Sequence, residues 1–296
     1  MSETSIIRIG TRGSDLALWQ AHHVKSELEK LGCTVEINII HTQGDKIQNL
    51  SFDKLEGKGF FTKEIEAALL AKEVDLAVHS HKDLETTSPA GLIIAAVSDR
   101  EDPSELLLVN PDAVDTTELW GLKKNAVIGT SSARRKSQLL ALRPDLTIKD
   151  LRGNVPTRVQ KLKNDGYDSI LLAKAGVNRL ELDLSDLHVV VLDPTIFVPA
   201  PAQGVLGLQI REDDKALAAI LSHLNDTNTA EKIGLERSVL RLMEGGCQLP
   251  LGVYCDGKTV HVAHSKVSSE AATYATFTFE NKDTLAQTIV NQLQNK

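Results

Sequence analysis

No apolar run in this 296-residue chain approaches the ~20 residues that a membrane-spanning helix requires. The N-terminus, Met1-Ser2-Glu3-Thr4-Ser5-Ile6-Ile7-Arg8, has no charged-then-apolar leader, so the protein is expected in the cytoplasm. Only three cysteines are present, Cys33, Cys247 and Cys255, and their spacing suits neither a disulfide framework nor a zinc site. No metal is expected. Positive charge is also short: 33 Lys and Arg against 40 Asp and Glu give a formal net charge of −7. That balance argues against a nucleic-acid binder, which carries a broad basic face. A Walker-type Gly-Lys-Ser/Thr loop is missing too, which argues against a phosphate-handling enzyme. The length suits two or three domains, and 42% hydrophobic with 25% charged residues is ordinary for a globular protein.

Against this acidic background, residues 134–163 carry nine Lys and Arg and two acids, Asp145 and Asp150, a local balance of 9 − 2 = +7. A small polyanion held in a cleft accounts for such a block. Arg134, Arg135, Arg152 and Arg158 sit at turns beside Gly or hydroxyl residues, in the runs 129–135 and 151–158. Arginine presents a fixed fork of donors to carboxylates, and small residues before a helix expose amides to an anion. These four arginines are therefore expected to bind anions rather than stabilise the fold. For Lys136, Lys149, Lys161 and Lys163 a solvated helix face serves equally well.

The first 200 residues alternate short apolar runs with amphipathic stretches, the pattern of an α/β fold with largely parallel sheets. A strand over 6–10 leads to a helix with Ser14 as N-cap and apolar positions Ala17, Leu18, Ala21, Val24, Leu28 and Leu31. Strands are expected over 35–41, 76–79, 92–97 and 106–109, with a helix over 62–72. A second unit repeats the theme with strands at 126–129, 147–151, 169–172 and 189–192 and helices at 132–142 and 157–164. Ile9-Gly10-Thr11 and Ile128-Gly129-Thr130 each end a strand before a helix, 128 − 9 = 119 positions apart. That echo points to two related domains facing one cleft. Residues 194–204 read as a crossover and 205–211 as a strand returning to the first domain. The tail has a helix over 229–243 ended by Gly245-Gly246, strands at 251–255, 259–264 and 273–279, and a helix over 283–294. The expected domains are 1–103 with 198–220, 104–197, and a small α+β domain over 221–296. The polar stretch 44–59 is a long loop, either a lid or ordinary surface.

Asp83 lies just past a buried-looking strand, in Val78-His79-Ser80-His81-Lys82-Asp83. Strand ends of open α/β sheets are where ligands bind. A carboxylate there can donate a proton or stabilise a cation, or the Lys-Asp pair can simply cap the next turn. His79 and His81 alternate and should face opposite sides, which speaks against a shared metal. Cys247 follows two glycines after a helix, leaving its thiol accessible as a nucleophile or attachment point, whereas Cys33 and Cys255 read as structural.

The runs 9–20 (Ile-Gly-Thr-Arg-Gly-Ser-Asp-Leu-Ala-Leu-Trp-Gln), 57–64 (Gly-Lys-Gly-Phe-Phe-Thr-Lys-Glu), 78–83, 129–135, 151–158 (Leu-Arg-Gly-Asn-Val-Pro-Thr-Arg) and 244–250 (Glu-Gly-Gly-Cys-Gln-Leu-Pro) together resemble the porphobilinogen deaminases, also called hydroxymethylbilane synthases. The match runs nearly the whole chain, in order. It implies two periplasmic-binding-protein-like domains flanking a cleft, plus the small C-terminal domain. It implies a transferase of haem biosynthesis that joins four porphobilinogen units head to tail, releasing ammonia each time. By the same resemblance Cys247 carries a dipyrromethane cofactor through a thioether. Asp83 matches the catalytic aspartate, which protonates the leaving amine and steadies the cationic pyrrole left behind. Arg12, Ser14, Lys58, Lys82, Thr130, Ser131, Ser132, Arg134, Arg135, Arg152, Arg158 and Gln203 match carboxylate or cofactor contacts. The partners implied are porphobilinogen and its oligomers, with no nucleic acid or membrane, for a monomer.

Two positions depart from the family pattern. Ala202 stands where Gly is usual, and His81 where an apolar residue is commoner. Ala202 matters if its backbone needs positive φ or close ligand approach. The competing reading is a non-catalytic two-domain binding protein for a small anion. Fold alone does not separate the two, but Cys247 with Asp83 does.

Overall fold

The computed structural model describes residues 6–42, 62–244, 246, 248–279 and 282–294. Lys58, Cys247 and the 44–59 stretch lie outside them. The described chain forms a mixed α/β structure with two five-stranded sheets and one three-stranded sheet. It divides into two compact units: residues 1–48, 57–101 and 204–231 in unit 1, and 49–56, 102–203 and 232–296 in unit 2.

Unit 1 opens with β1 (Ile7–Thr11), α1 (Asp15–Lys30) and β2 (Val35–Ile39). Ser14 caps α1 as expected: its backbone is extended and its hydroxyl accepts the Ala17 N–H. That satisfies one of the unpaired amides of the first turn. Ala21, Val24 and Leu28 bury the inner face together with Gln20, while Leu31 at the helix end is exposed. Then come α2 (Lys63–Leu70), β3 (Leu76–Ser80) and β4 (Leu92–Val97).

Unit 2 holds β5 (Glu105–Val109), β6 (Val127–Gly129), α3 (Ala133–Leu142), β7 (Thr147–Lys149), α4 (Val155–Asn164), β8 (Ser169–Ala173), α5 (Lys174–Arg179) and β9 (His188–Leu192). Asn154 caps α4 by accepting the Thr157 N–H, and Pro156 sits in its first turn, where no amide partner is needed. The chain returns to unit 1 as β10 (Leu206–Arg211) and α6 (Lys215–Leu221). Neither α5 nor α6 was expected from the periodicity. Each is under two full turns, too short for an apolar stripe to repeat.

The sheet orders are β2-β1-β3-β10-β4 and β7-β6-β8-β5-β9. Within unit 1, β1 pairs in parallel with β2 and β3, whereas β10 is antiparallel to β3 and β4. Within unit 2, β6 is parallel to β7 and β8, and β5 is antiparallel to β8 and β9. The sheets are thus largely parallel, as expected, with one reversed strand in each, supplied from beyond the local βαβ run. The two orders are the same pattern, with β1 and β6 in equivalent places. Gly10 and Gly129 therefore occupy matching strand ends, as the 119-residue echo suggests.

The tail forms α7 (Thr227–Leu242), the antiparallel sheet of β11 (Leu251–Cys255), β12 (Thr259–His264) and β13 (Thr273–Thr278), and α8 (Lys282–Gln294). Leu235 and Val239 of α7 and Ile289 and Val290 of α8 cover Val253, Val260 and Val262 of the sheet in one core. The Ala272 N–H donates to Ser137 O of α3, and Ala141 packs near Val198, Ala263 and Ala272, joining this segment to the rest of unit 2. Residues 198–203 also bond within unit 2: Val198 N–H donates to Gln138 Oε1, and Ala202 N–H to Glu236 Oε2. The return to unit 1 begins at Gly204.

Candidate functional site

A cavity of about 100 Å³ opens in unit 1. Arg12 and Ser14 reach it from the turn between β1 and α1, and Asp83 from the 3-10 turn (His81–Asp83) that follows β3. Gln20, Thr62, His79 and Ser80 complete its polar lining. The local reason is the strand–turn–helix design: β1 and β3 are parallel neighbours, so both end on the same edge of the sheet. Asp83 itself is exposed, and Arg12 and Ser14 are half-buried. Three of the residues singled out from the sequence thus share one concavity, with a guanidinium for a carboxylate and a carboxyl for proton chemistry.

Behind the cavity runs a chain of hydrogen bonds. His79 Nε2 lies 3.1 Å from Gln209 Oε1, and Gln209 Nε2 donates to Glu66 Oε1 at 3.0 Å. Burial lowers the His79 pKa to about 4, only partly opposed by the Gln209 bond. Gln20 Nε2 donates to Ser80 Oγ at 2.8 Å, fixing both side chains beside Asp83. Gln20, His79 and Ser80 lay inside the quoted runs, and Glu66 and Gln209 outside them, and none was chosen as a site residue. Their signal was a polar side chain on an otherwise apolar strand or helix face.

The basic block of unit 2 is largely neutralised from within. Arg134 and Arg135 each bond Glu105 at 2.6 Å, one to each carboxylate oxygen, and Glu105 is 0% exposed. Arg134 also donates to Val198 O and Arg135 to Leu171 O. Lys136 pairs with Asp150, Arg143 with Asp145 and Lys163 with Asp186. The expectation that Arg134 and Arg135 do not stabilise the fold is therefore corrected. Both guanidiniums are buried, and a buried charge requires a partner. The acid that provides it lies about thirty positions upstream at the start of β5, outside the window in which charge was counted. The triad still carries two cations against one anion, and Arg135 Nε has no hydrogen-bond partner among the described residues.

Ser131 links the runs 129–135 and 151–158: its Oγ donates to Leu151 O and accepts the Leu151 N–H, both at 3.1 Å. Thr130 Oγ1 accepts the Ser132 N–H, immediately before α3. Thr130 is buried, whereas Ser131, Ser132, Arg152 and Arg158 are half-buried, and Arg158 Nε donates to Gly153 O. Gln203 is fully buried and donates to Pro103 O at 2.8 Å, bonding one crossover segment to the other. Lys82 lies half-buried in the turn before Asp83. The structure thus distributes the expected contacts over both units.

Both departures have structural correlates. Ala202 has φ +61°, the left-handed conformation that Gly adopts freely, and is held there by its N–H bond to Glu236. Glu236 accepts the Cys255 N–H as well. Two residues on, Gly204 has φ +92°, and a Cβ there would meet Glu101 O at 2.3 Å. The His81 ring is buried against Gly207, where an added Cβ would lie 2.6 Å from Nδ1. The larger ring is accommodated because β10 has no side chain at that point.

Residues 7–219 match the family model described as porphobilinogen deaminase, dipyromethane cofactor binding domain. The chain is 47% identical over 247 residues to the porphobilinogen deaminase of Sulfurimonas denitrificans, covering 83% of this chain and 77% of that one. It is 45% identical over 273 residues to that of Trichlorobacter lovleyi, covering 92% and 82%. Among solved structures, the periplasmic VFT2 domain of Bordetella pertussis BvgS aligns with a TM-score of 0.44 at 13% identity, covering 80% of this chain and 95% of that one. No described helix is long and apolar enough to cross a membrane.

Proposed function

The chain belongs to the porphobilinogen deaminase family, and from that premise we propose that Asp83 is the catalytic group and Cys247 the cofactor attachment point. The enzyme is a transferase that condenses four porphobilinogen molecules head to tail into hydroxymethylbilane, releasing ammonia at each addition, and its matched domain binds a dipyrromethane cofactor. The observation that carries the assignment of Asp83 is the cavity it shares with Arg12 and Ser14.

The residues fit a group bearing several carboxylates. Arg12 and Ser14 face a cavity, and the triad of unit 2 keeps an excess positive charge with one guanidinium nitrogen unpartnered among the described residues. Arg12, Ser14, Lys58, Lys82, Thr130, Ser131, Ser132, Arg152, Arg158 and Gln203 are the side chains that hold those carboxylates, and Arg134 and Arg135 divide their donors between the same carboxylates and Glu105. When bound, the dipyrromethane supplies the primer to which substrate units are added. Asp83 gives a proton to the departing amine and then, as a carboxylate, neutralises the positive charge left on the ring. Arg12 holds an acidic side arm of the substrate so that its aminomethyl carbon stays beside Asp83. Residues 221–296 act as a third domain bearing Cys247, and the protein works as a cytoplasmic monomer.

Two measurements test this reading. The intact mass is expected to exceed the sequence mass by two pyrrole units, and Cys247→Ser to abolish the increment; an unmodified yet fully active protein refutes it. Asp83→Asn is expected to keep fold and cofactor while lowering turnover by about 10²–10⁴. Retention of more than about a tenth of wild-type turnover removes Asp83 from the role.

A further inference from the structure

His79 is 7% exposed, lines the cavity that Arg12 and Asp83 also line, and has a fixed polarity. Glu66, when ionised, can only accept, so the Gln209 amide must turn its NH₂ toward Glu66 and its oxygen toward His79. That oxygen in turn requires a proton on Nε2. The imidazole is thus locked as the Nε2–H tautomer, and Nδ1 keeps its lone pair. Nδ1 takes no partner among the described residues. The position suits neither a base nor a cation, since burial keeps the ring neutral down to about pH 4. A metal role finds no support either, because no group of three His, Cys, Asp or Glu able to hold an ion occurs among the described residues.

We propose that His79 is a substrate-positioning residue, whose Nδ1 accepts an N–H of the nitrogen-bearing substrate in the cavity beside Asp83. This rests on the reading of that cavity as the porphobilinogen site. The polar groups then divide the substrate between them. Arg12 and Ser14 take a carboxylate, Asp83 serves the amine that leaves, and His79 orients an N–H without competing for its proton. A protonated histidine would repel a cationic amine and add charge beside Arg12. Burial disfavours that state, and the Glu66–Gln209 pair fixes which nitrogen carries the proton of the neutral ring.

The test uses the cofactor-loaded protein with ¹⁵N-labelled histidine. One neutral imidazole should show the Nε2–H tautomer from pH 5 to 8. Its Nδ1 signal should move when porphobilinogen is added to the Asp83→Asn variant, where turnover is slowed. In kinetics, His79→Gln, which can still reach Gln209 but loses the inward acceptor, should raise KM about 3–10-fold with kcat little changed. His79→Asn, which places an amide near the Nδ1 position, should recover part of that loss. An Nδ1–H tautomer, or equal KM values for wild type and His79→Gln, overturns the inference while leaving the enzyme assignment standing. If wild type consumes no porphobilinogen the broader reading fails, and the Nδ1 response to porphobilinogen still decides the role of His79: movement supports it and no movement overturns it.

Discussion

Replacing Glu105 by glutamine isolates what the buried triad does for unit 2. The change keeps the shape of the side chain and removes one negative charge. Two guanidiniums, each 6% exposed, then face an amide that offers one acceptor and points an NH₂ group at the other. Removing one partner of a buried ion pair costs about 3–5 kcal/mol, because the remaining charge is left uncompensated. Burial already pulls the Arg134 pKa below the ordinary arginine value, with Glu105 opposing and Arg135 adding to the fall, so loss of Glu105 leaves nothing to offset it. For a folding unit of this size ~1 kcal/mol moves the melting temperature by roughly 2–4 °C. The transition of unit 2 is therefore expected about 6–20 °C lower, measured by calorimetry at pH 7. Disrupting the exposed Lys136–Asp150 pair, by contrast, should cost about 0–1 kcal/mol. Arg134→Leu and Arg135→Leu should each melt below wild type, and either combined with Glu105→Gln should cost less than the sum of the two, as coupled neighbours do. A Glu105→Gln protein melting within about 2 °C of wild type refutes the argument that this carboxylate holds the two arginines.

Two glycine–alanine exchanges, two residues apart, should differ sharply. Gly204→Ala is expected to destabilise by about 2–5 kcal/mol, since its Cβ would collide with Glu101 O in a positive-φ backbone, and a denaturant midpoint near wild type disproves this. Ala202→Gly should fall within about 1 kcal/mol of wild type. Relief of a left-handed alanine is offset there by a lost buried methyl and by a more mobile unfolded chain, and the same titration checks it. The His79 pKa, lowered to about 4 from 6.5, makes a contribution of about 3 kcal/mol that is full above pH 6.5 and is lost as pH falls through about 4. Over that window His79→Gln should flatten the fall in unit 1 stability, and parallel curves for the two proteins count against it.

Most elements were legible because their periodicities are long enough to count. The strand ends of β1, β3 and β6 follow from apolar runs cut by Gly-Thr or His-Ser, and Ser14 from the hydroxyl that precedes α1. The reversal of β5 and β10 was not legible, since direction within a sheet is set by pairing between distant segments that leaves no local period. The cavity residues Arg12, Ser14 and Asp83 emerged from motif and turn chemistry. The roles of Arg134 and Arg135 did not, because the sign of a local charge count says nothing about an acid that approaches only after folding. The meaning of Ala202 was conditional in the sequence, and only the φ angle supplies the condition.

The placement of β10 bears on the order in which the molecule can be completed during synthesis. β10 is the fourth strand of the unit 1 sheet, bonded on one side to β3 and on the other to β4. Its residues, Leu206–Arg211, follow the whole central sheet of unit 2, whose last strand ends at Leu192. A growing chain emerging from the ribosome therefore holds β4 without a neighbour, and one edge of β3 open, for more than a hundred residues of translation. The later sheet has all its strands first. Open strand edges invite pairing with other chains, so the stretch from Val97 to Leu206 marks the interval in which the nascent enzyme most needs protection by chaperones or by slow, dilute synthesis.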